Sequence, residues 1–95
     1  MNKTEEAYAA ELELQKRAGM ILWYKFEGIK LRLADNTFYT PDFVVMVADG
    51  VIECRETKGF WTDDARVKIK VAAALFPFRF IALKRIKGRW IVENF

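Results

Sequence analysis

The chain contains neither histidine nor serine. Those absences exclude a Ser-His-Asp triad, a Cys-His pair and any histidine-containing zinc site built from this chain alone. Cysteine occurs once, at Cys54, which leaves no intramolecular disulfide and no zinc ribbon. Proline occurs twice, at Pro41 and Pro77, and no Pro/Gly/Ser-rich linker, low-complexity tract or internal repeat divides the chain. No apolar run is long enough to span a bilayer. Residues Met1 to Gln15 are charged throughout and lack the apolar stretch of a signal peptide. The expectation is a soluble protein of the cytoplasm with no membrane partner, because one unpaired cysteine suits a reducing compartment. Any chemistry has to come from carboxylates, Lys, Tyr, Thr or a metal held by oxygen.

What is present is dense in core-forming residues. Of 95 residues, 53% are apolar and 15% aromatic, with eight Phe, three Trp and three Tyr. That is enough for one small domain over residues 1–95 to fold alone, and too little chain for a second. Sixteen basic against thirteen acidic residues leave a net charge of +3. This is a mild lean toward anionic partners rather than a polybasic tail.

Periodicity and punctuation divide the chain into elements. Residues 4–18 read as a helix, with Thr4 as N-cap, Glu5 and Glu6 in the first turn, Tyr8 and Leu12 on one face, and Gly19 as C-cap. Residues 21–27 and 29–33 read as strands broken at Gly28. Asp35-Asn36 has turn chemistry. Residues 38–47 form a longer extended segment that Pro41 interrupts. Asp49-Gly50 is a tight hairpin turn leading to a partner strand over residues 51–58. Residues 62–76 carry two signals. Arg66 to Val71 alternates with period two, but Thr62 followed by Asp63 and Asp64 caps a helix start, and Ala72-Ala73-Ala74 is strongly helix-prone. Helix is the reading, stopped by Pro77. Residues 78–84 and 89–93 read as two last strands around Lys87-Gly88. The fold class expected is α/β (α+β): a small mixed sheet flanked by helices, in the order α-β-β-β-α-β-β. A strand–helix–strand crossover from Lys58 to Phe78 would be right-handed if its strands are parallel.

The central hairpin carries the chemistry. Pro41-Asp42 lies on one strand and Glu56-Thr57-Lys58 on the other. Alternation puts Ile52, Cys54, Glu56 and Lys58 on one face and Glu53, Arg55 and Thr57 on the opposite one. The turn at Asp49-Gly50 folds Asp42 back toward Glu56. Two converging carboxylates make a hard-oxygen site suited to Mg²⁺ or Mn²⁺. A neighbouring lysine positions a water or neutralises a phosphate. Together these parts suit metal-assisted hydrolysis of a phosphodiester, which needs neither of the missing residue types.

Pro41-Asp42 followed by Glu56-Thr57-Lys58 resembles the PD-(D/E)xK nuclease signature. The wider runs Tyr39-Thr40-Pro41-Asp42-Phe43 and Glu56-Thr57-Lys58-Gly59 resemble small phage-type endonucleases, Holliday-junction resolvases among them. The resemblance covers roughly Glu5 to Leu83. It implies a restriction-endonuclease-like core and a metal-dependent DNA endonuclease, phage-related, acting on DNA that includes branched forms. It implies that Asp42, Glu56 and the carbonyl of Thr57 ligate Mg²⁺ or Mn²⁺ and that Lys58 positions the attacking water. Glu5, with Glu6 as fallback, would be the helix acid that supports catalysis. It further implies that Arg66, Lys68 and Lys70 face the DNA, and that the protein acts as a homodimer, since cutting two strands needs two sites. If the chain is phage-encoded, its compartment is the host cytoplasm.

Other readings of the same residues stand beside this one. Asp42 after Pro41 is also ordinary turn chemistry, and Glu56 with Lys58 is also an ordinary ion pair on a strand. Glu5 also suits the helix dipole. Trp61 is core-edge material or a surface for stacking a nucleotide. Arg79, Lys84, Arg85, Lys87 and Arg89 either protect an edge hairpin from aggregation or track phosphates. The alternatives to an enzyme are a non-catalytic nucleic-acid-binding module and a subunit of a larger phage assembly.

Overall fold

The computed structural model spans residues 1–95. Its elements run α1 (Lys3–Arg17), β1 (Ile21–Phe26), β2 (Leu31–Ala34), β3 (Thr37–Tyr39), β4 (Phe43–Val47), β5 (Ile52–Thr57), α2 (Asp63–Leu75), β6 (Arg79–Ile86) and β7 (Arg89–Asn94). The α+β class is as expected, with a small two-stranded sheet added to the order. The main sheet has five strands in the order β1-β4-β5-β6-β7, and β2-β3 form the second. Only β5 and β6 run parallel, joined through α2; every other pairing is antiparallel. None of the helices is long and apolar enough to cross a membrane.

The helix starts earlier than Thr4. Asn2 is the N-cap, because its side-chain oxygen accepts the Glu5 amide at 2.8 Å while Glu5 Oε1 accepts the Asn2 amide at 2.8 Å. This reciprocal capping box satisfies two amides that the helix itself cannot. Gly19 takes φ +78° just past the end of α1, a left-handed conformation natural to glycine. Thr62 does cap α2, accepting the Ala65 amide at 3.2 Å.

The extended segment over residues 38–47 is two strands in two sheets. Pro41 has no amide hydrogen to give a ladder, so the chain turns there. On one side β3 pairs with β2; on the other β4 pairs with β1 and β5. The sheet therefore has two differently covered faces. On one, Tyr8 and Leu12 of α1 pack with Ile21, Phe43, Val45, Ile81 and Leu83. On the other, Ile69 and Ala72 of α2 pack with Leu31, Tyr39, Cys54 and Phe80. The β2-β3 hairpin and α2 cover this second face together.

Gly28 sits where the chain leaves β1 and passes against β4. A Cβ there would meet Val44 Cγ1 at 2.8 Å and Lys25 Cβ at 3.0 Å. Gly28→Ala is expected to destabilise the fold by about 1–3 kcal/mol through overpacking, read as a lower urea midpoint with an unchanged slope.

Candidate active site

Four main-chain and side-chain constraints place Asp42. Its amide donates to Glu56 Oε1 at 2.8 Å. Its carbonyl accepts the Glu27 amide at 2.7 Å. Its Oδ2 accepts both the Thr57 amide at 2.9 Å and Thr57 Oγ1 at 3.0 Å. The acid at the start of β4 thus holds the end of β5, and the acid at the end of β5 holds the start of β4. Two carboxylates fourteen positions apart become one unit.

Glu56 is 5% exposed. Its Oε2 accepts Tyr39 Oη at 3.1 Å and faces Lys58 Nζ at 3.7 Å. Burial and the neighbouring Asp42 charge push its carboxyl up to about 7, against a pull back from the Asp42 amide and Lys58. Burial and the Glu56 carboxylate also raise the Tyr39 hydroxyl, which stays protonated and donates. The Cys54 thiol, 1% exposed on the same face, is pushed up to about 12 by burial and by Glu56. It is a small apolar filler rather than a nucleophile.

These groups open into a cleft of about 350 Å³ whose polar lining includes Tyr39, Asp42, Glu56, Lys58, Asp64 and Lys68. The floor comes from the hairpin and one wall from the first turns of α2. Lys68 is one helical turn from Asp64, so both look into the cleft. Thr57 is 8% exposed, with its amide and hydroxyl turned to Asp42.

Other expected residues lie elsewhere. Glu5 and Glu6 are not in the cleft: α1 covers the opposite face of the sheet, and the Glu5 carboxylate is held by the Asn2 amide. Arg66 turns away toward β7, where it pairs with Glu93 and lies 5.4 Å from the Trp61 ring and 5.3 Å from the Phe95 ring. Lys70 is exposed, one turn further along α2, and does not line the cleft. Glu53 is on the face opposite Glu56. It is 5% exposed and neutralised there by Arg55 and Arg79, each at 2.8 Å. Arg55 also donates to Tyr8 Oη at 2.9 Å and Gln15 at 3.3 Å, a network that ties α1 to the sheet.

Tyr39 and Asp64 are cleft residues to which sequence reasoning gave no individual role. Tyr39 adjoins the Pro-Asp pair in sequence, but its contact with Glu56 depends on the turn at Pro41. Asp64 is legible as part of a helix cap and, through the resemblance, as one of a run after the motif (Trp61, Asp63, Asp64, Arg66 and Lys68) near the scissile phosphate.

The donor set suits a hard divalent cation. Both acids contribute oxygen, and Asp42 lines the cleft with Oδ1 free of any protein hydrogen bond. No cluster of three or more Asp, Glu or Cys side chains forms an all-protein cage. Two carboxylates match Mg²⁺, which keeps several waters and commonly takes one or two carboxylates plus substrate phosphate.

No curated protein and no solved structure matches the chain. A family model described as "Protein of unknown function (DUF1064)" matches residues 1–95 in full. The protein that places Asp42, Glu56 and Lys58 in this cleft belongs to the DUF1064 family.

Proposed function

We propose that the protein is a metal-dependent DNA endonuclease that hydrolyses phosphodiester bonds, using Mg²⁺ or Mn²⁺ in this cleft. The observation that carries the reading is the Asp42–Glu56–Lys58 unit. Two carboxylates are locked side by side by main-chain bonds, with one of them buried and a lysine 3.7 Å away. Like charges so arranged are unfavourable without a cation.

Asp42, Glu56 and the Thr57 carbonyl would hold the ion. When bound, it neutralises charge on the phosphate and lowers the pKa of water. Tyr39 fixes the orientation of Glu56 through its hydroxyl. Lys58 holds the attacking water and offers positive charge to the phosphoryl oxygens. Water adds to phosphorus, one phosphorus–oxygen bond to the sugar breaks, and the departing oxygen takes the proton that water loses. Lys68 lies in the cleft where a flanking phosphate passes. Glu5, Arg66 and Lys70 have no part in this scheme. Branched DNA, Holliday junctions included, is a candidate substrate, and a homodimer would supply two sites for two strands. A phage origin and the cytoplasm are the setting that the motif resemblance suggests.

A second reading is a nucleic-acid-binding module without catalysis. Lys84, Arg85, Lys87 and Arg89 are all exposed on β6, β7 and their turn, which favours phosphate tracking. Titration calorimetry and nicking assays separate the two. Wild type is expected to take up Mn²⁺, Asp42→Ala and Glu56→Ala are expected not to, and plasmid or four-way-junction DNA should be cut only with the metal present. Absence of metal uptake and of cutting in wild type would leave the binding module as the function.

A further inference from the structure

Beyond Lys58, on the side away from Asp42, lies a second cavity of about 220 Å³. Its walls are Trp61 and Ile91, Ala82 lines it, and Lys58, Lys84 and Glu93 complete it. The strand register explains the shape. Glu56 pairs with Ala82 and Ala82 with Glu93, so a small side chain lies between two long ones. Lys84 pairs with Ile91 one pleat further on, next to Lys58, whose amide donates to Leu83.

The cavity combines apolar walls with two lysines. Lys58 Nζ is 5.7 Å and the Arg66 guanidinium 5.4 Å from the centre of the Trp61 ring, so the ring already sits among cations. Glu93 is paired with Arg66, which neutralises the one acid present. An aromatic wall beside phosphate-binding cations is the composition of a single-strand nucleotide site.

We propose that this cavity is a nucleotide subsite. An unpaired base seats against Trp61, and its phosphate is held by Lys84. Lys58, shared by both cavities, would then lie between that nucleotide and the phosphate being cut. A paired base stacked in duplex does not enter a space of about 220 Å³, so the preferred substrate class is single-stranded DNA or the unpaired nucleotides of a branch point. That the bound strand is the one being cut rests on the endonuclease reading; the subsite itself does not.

The test needs no cleavage. Binding is measured by fluorescence anisotropy in EDTA with a short labelled oligothymidylate, an abasic oligonucleotide with the same number of phosphates, and a duplex of equal length. Wild type is expected to bind oligothymidylate about tenfold or more tightly than the abasic strand, the size of one stacking contact. Trp61→Leu should abolish that preference and leave abasic binding unchanged. Lys84→Gln should weaken both single strands alike and reduce the salt dependence by about one phosphate contact. Equal binding of the two strands by wild type overturns the proposal, and that comparison decides the matter even if Trp61→Leu fails to fold. Equal loss on both strands in folded Trp61→Leu overturns it too. A base preference in a protein that nicks no DNA removes the endonuclease reading and keeps the subsite; nicking without a base preference does the reverse.

Discussion

Lys58→Met is expected to reduce metal-dependent DNA cleavage by about a thousandfold while weakening DNA binding by no more than about one phosphate contact and leaving metal uptake and melting temperature close to wild type. A positioned acid–base or charge-stabilising group contributes about 10²–10⁴ in rate. The lysine side chain is 28% exposed and its one ion pair spans 3.7 Å, so the fold depends little on it. Its structural bond is the amide to Leu83, which methionine keeps. Asp42→Asn should show the opposite division: cleavage is lost together with metal affinity. The asparagine oxygen still accepts the Thr57 amide, so the hairpin survives. Single-turnover nicking in Mg²⁺, with DNA affinity measured in Ca²⁺, distinguishes the two variants. A Lys58→Met rate within tenfold of wild type would remove the lysine from the chemistry.

The second large effect concerns stability and its pH dependence. In the unfolded chain a glutamate titrates near 4.5, and in the folded protein Glu56 is pushed up to about 7. The folded state thus binds this proton more tightly. The stability it contributes is fully present below the unfolded value and is lost as pH rises through about 7. A shift of this size corresponds to about 3 kcal/mol. In chelator, wild type should therefore be most stable near pH 5 and weaken toward pH 8. Glu13 and Glu93 titrate below the usual carboxylate range and stay out of that window. Glu56→Gln should flatten the profile and be the more stable protein at pH 8. Its amide still accepts from Asp42, and the Tyr39 hydroxyl can turn from donor to acceptor. Mg²⁺ or Mn²⁺ should restore wild-type stability at pH 8, where the carboxylate is free to bind it. Urea unfolding at both pH values measures all of this, and identical pH profiles for wild type and Glu56→Gln would contradict the assignment.

What could be read in advance follows the range of the forces involved. The β4–β5 hairpin is written locally, in the Asp49-Gly50 turn and the alternation either side of it, and the Asp42–Glu56 unit comes with it. The helix over 63–75 was decided by Thr62 against a strand-like alternation, because a cap satisfies amides that alternation does not. The Thr4 cap failed because Asn2 and Glu5 together make two bonds where Thr4 offers one. The segment over 38–47 was one strand in the sequence reading and is two in the structure. Pro41 marked the interruption, but its sequence did not say that β3 would leave for another sheet. Glu5 reads as pointing toward the sheet, but its carboxylate is taken up by the Asn2 amide in the capping box, and which face α1 covers is settled by Tyr8 and Leu12 meeting Phe43 and Ile81, residues far along the chain. The pairing of Arg66 with Glu93, 27 positions later, belongs to tertiary structure and has no signal in the local sequence.

The reciprocal bonds between Asp42 and Glu56–Thr57 also bear on when the site comes into being. The two acids and Lys58 lie within one hairpin, residues 42–58, closed by a short turn over residues 48–50, the kind of local contact that forms early and fast; the wall from α2 joins it from further along the chain. A slip of one residue between β4 and β5 would send Glu56 to the α1 face and part it from the Asp42 amide. The bonds therefore favour the native register of β4 against β5 over a slipped one. The parallel pairing of β5 with β6 closes a longer loop through α2, so the acids of the site are held by the shorter-range of the two pairings that β5 makes.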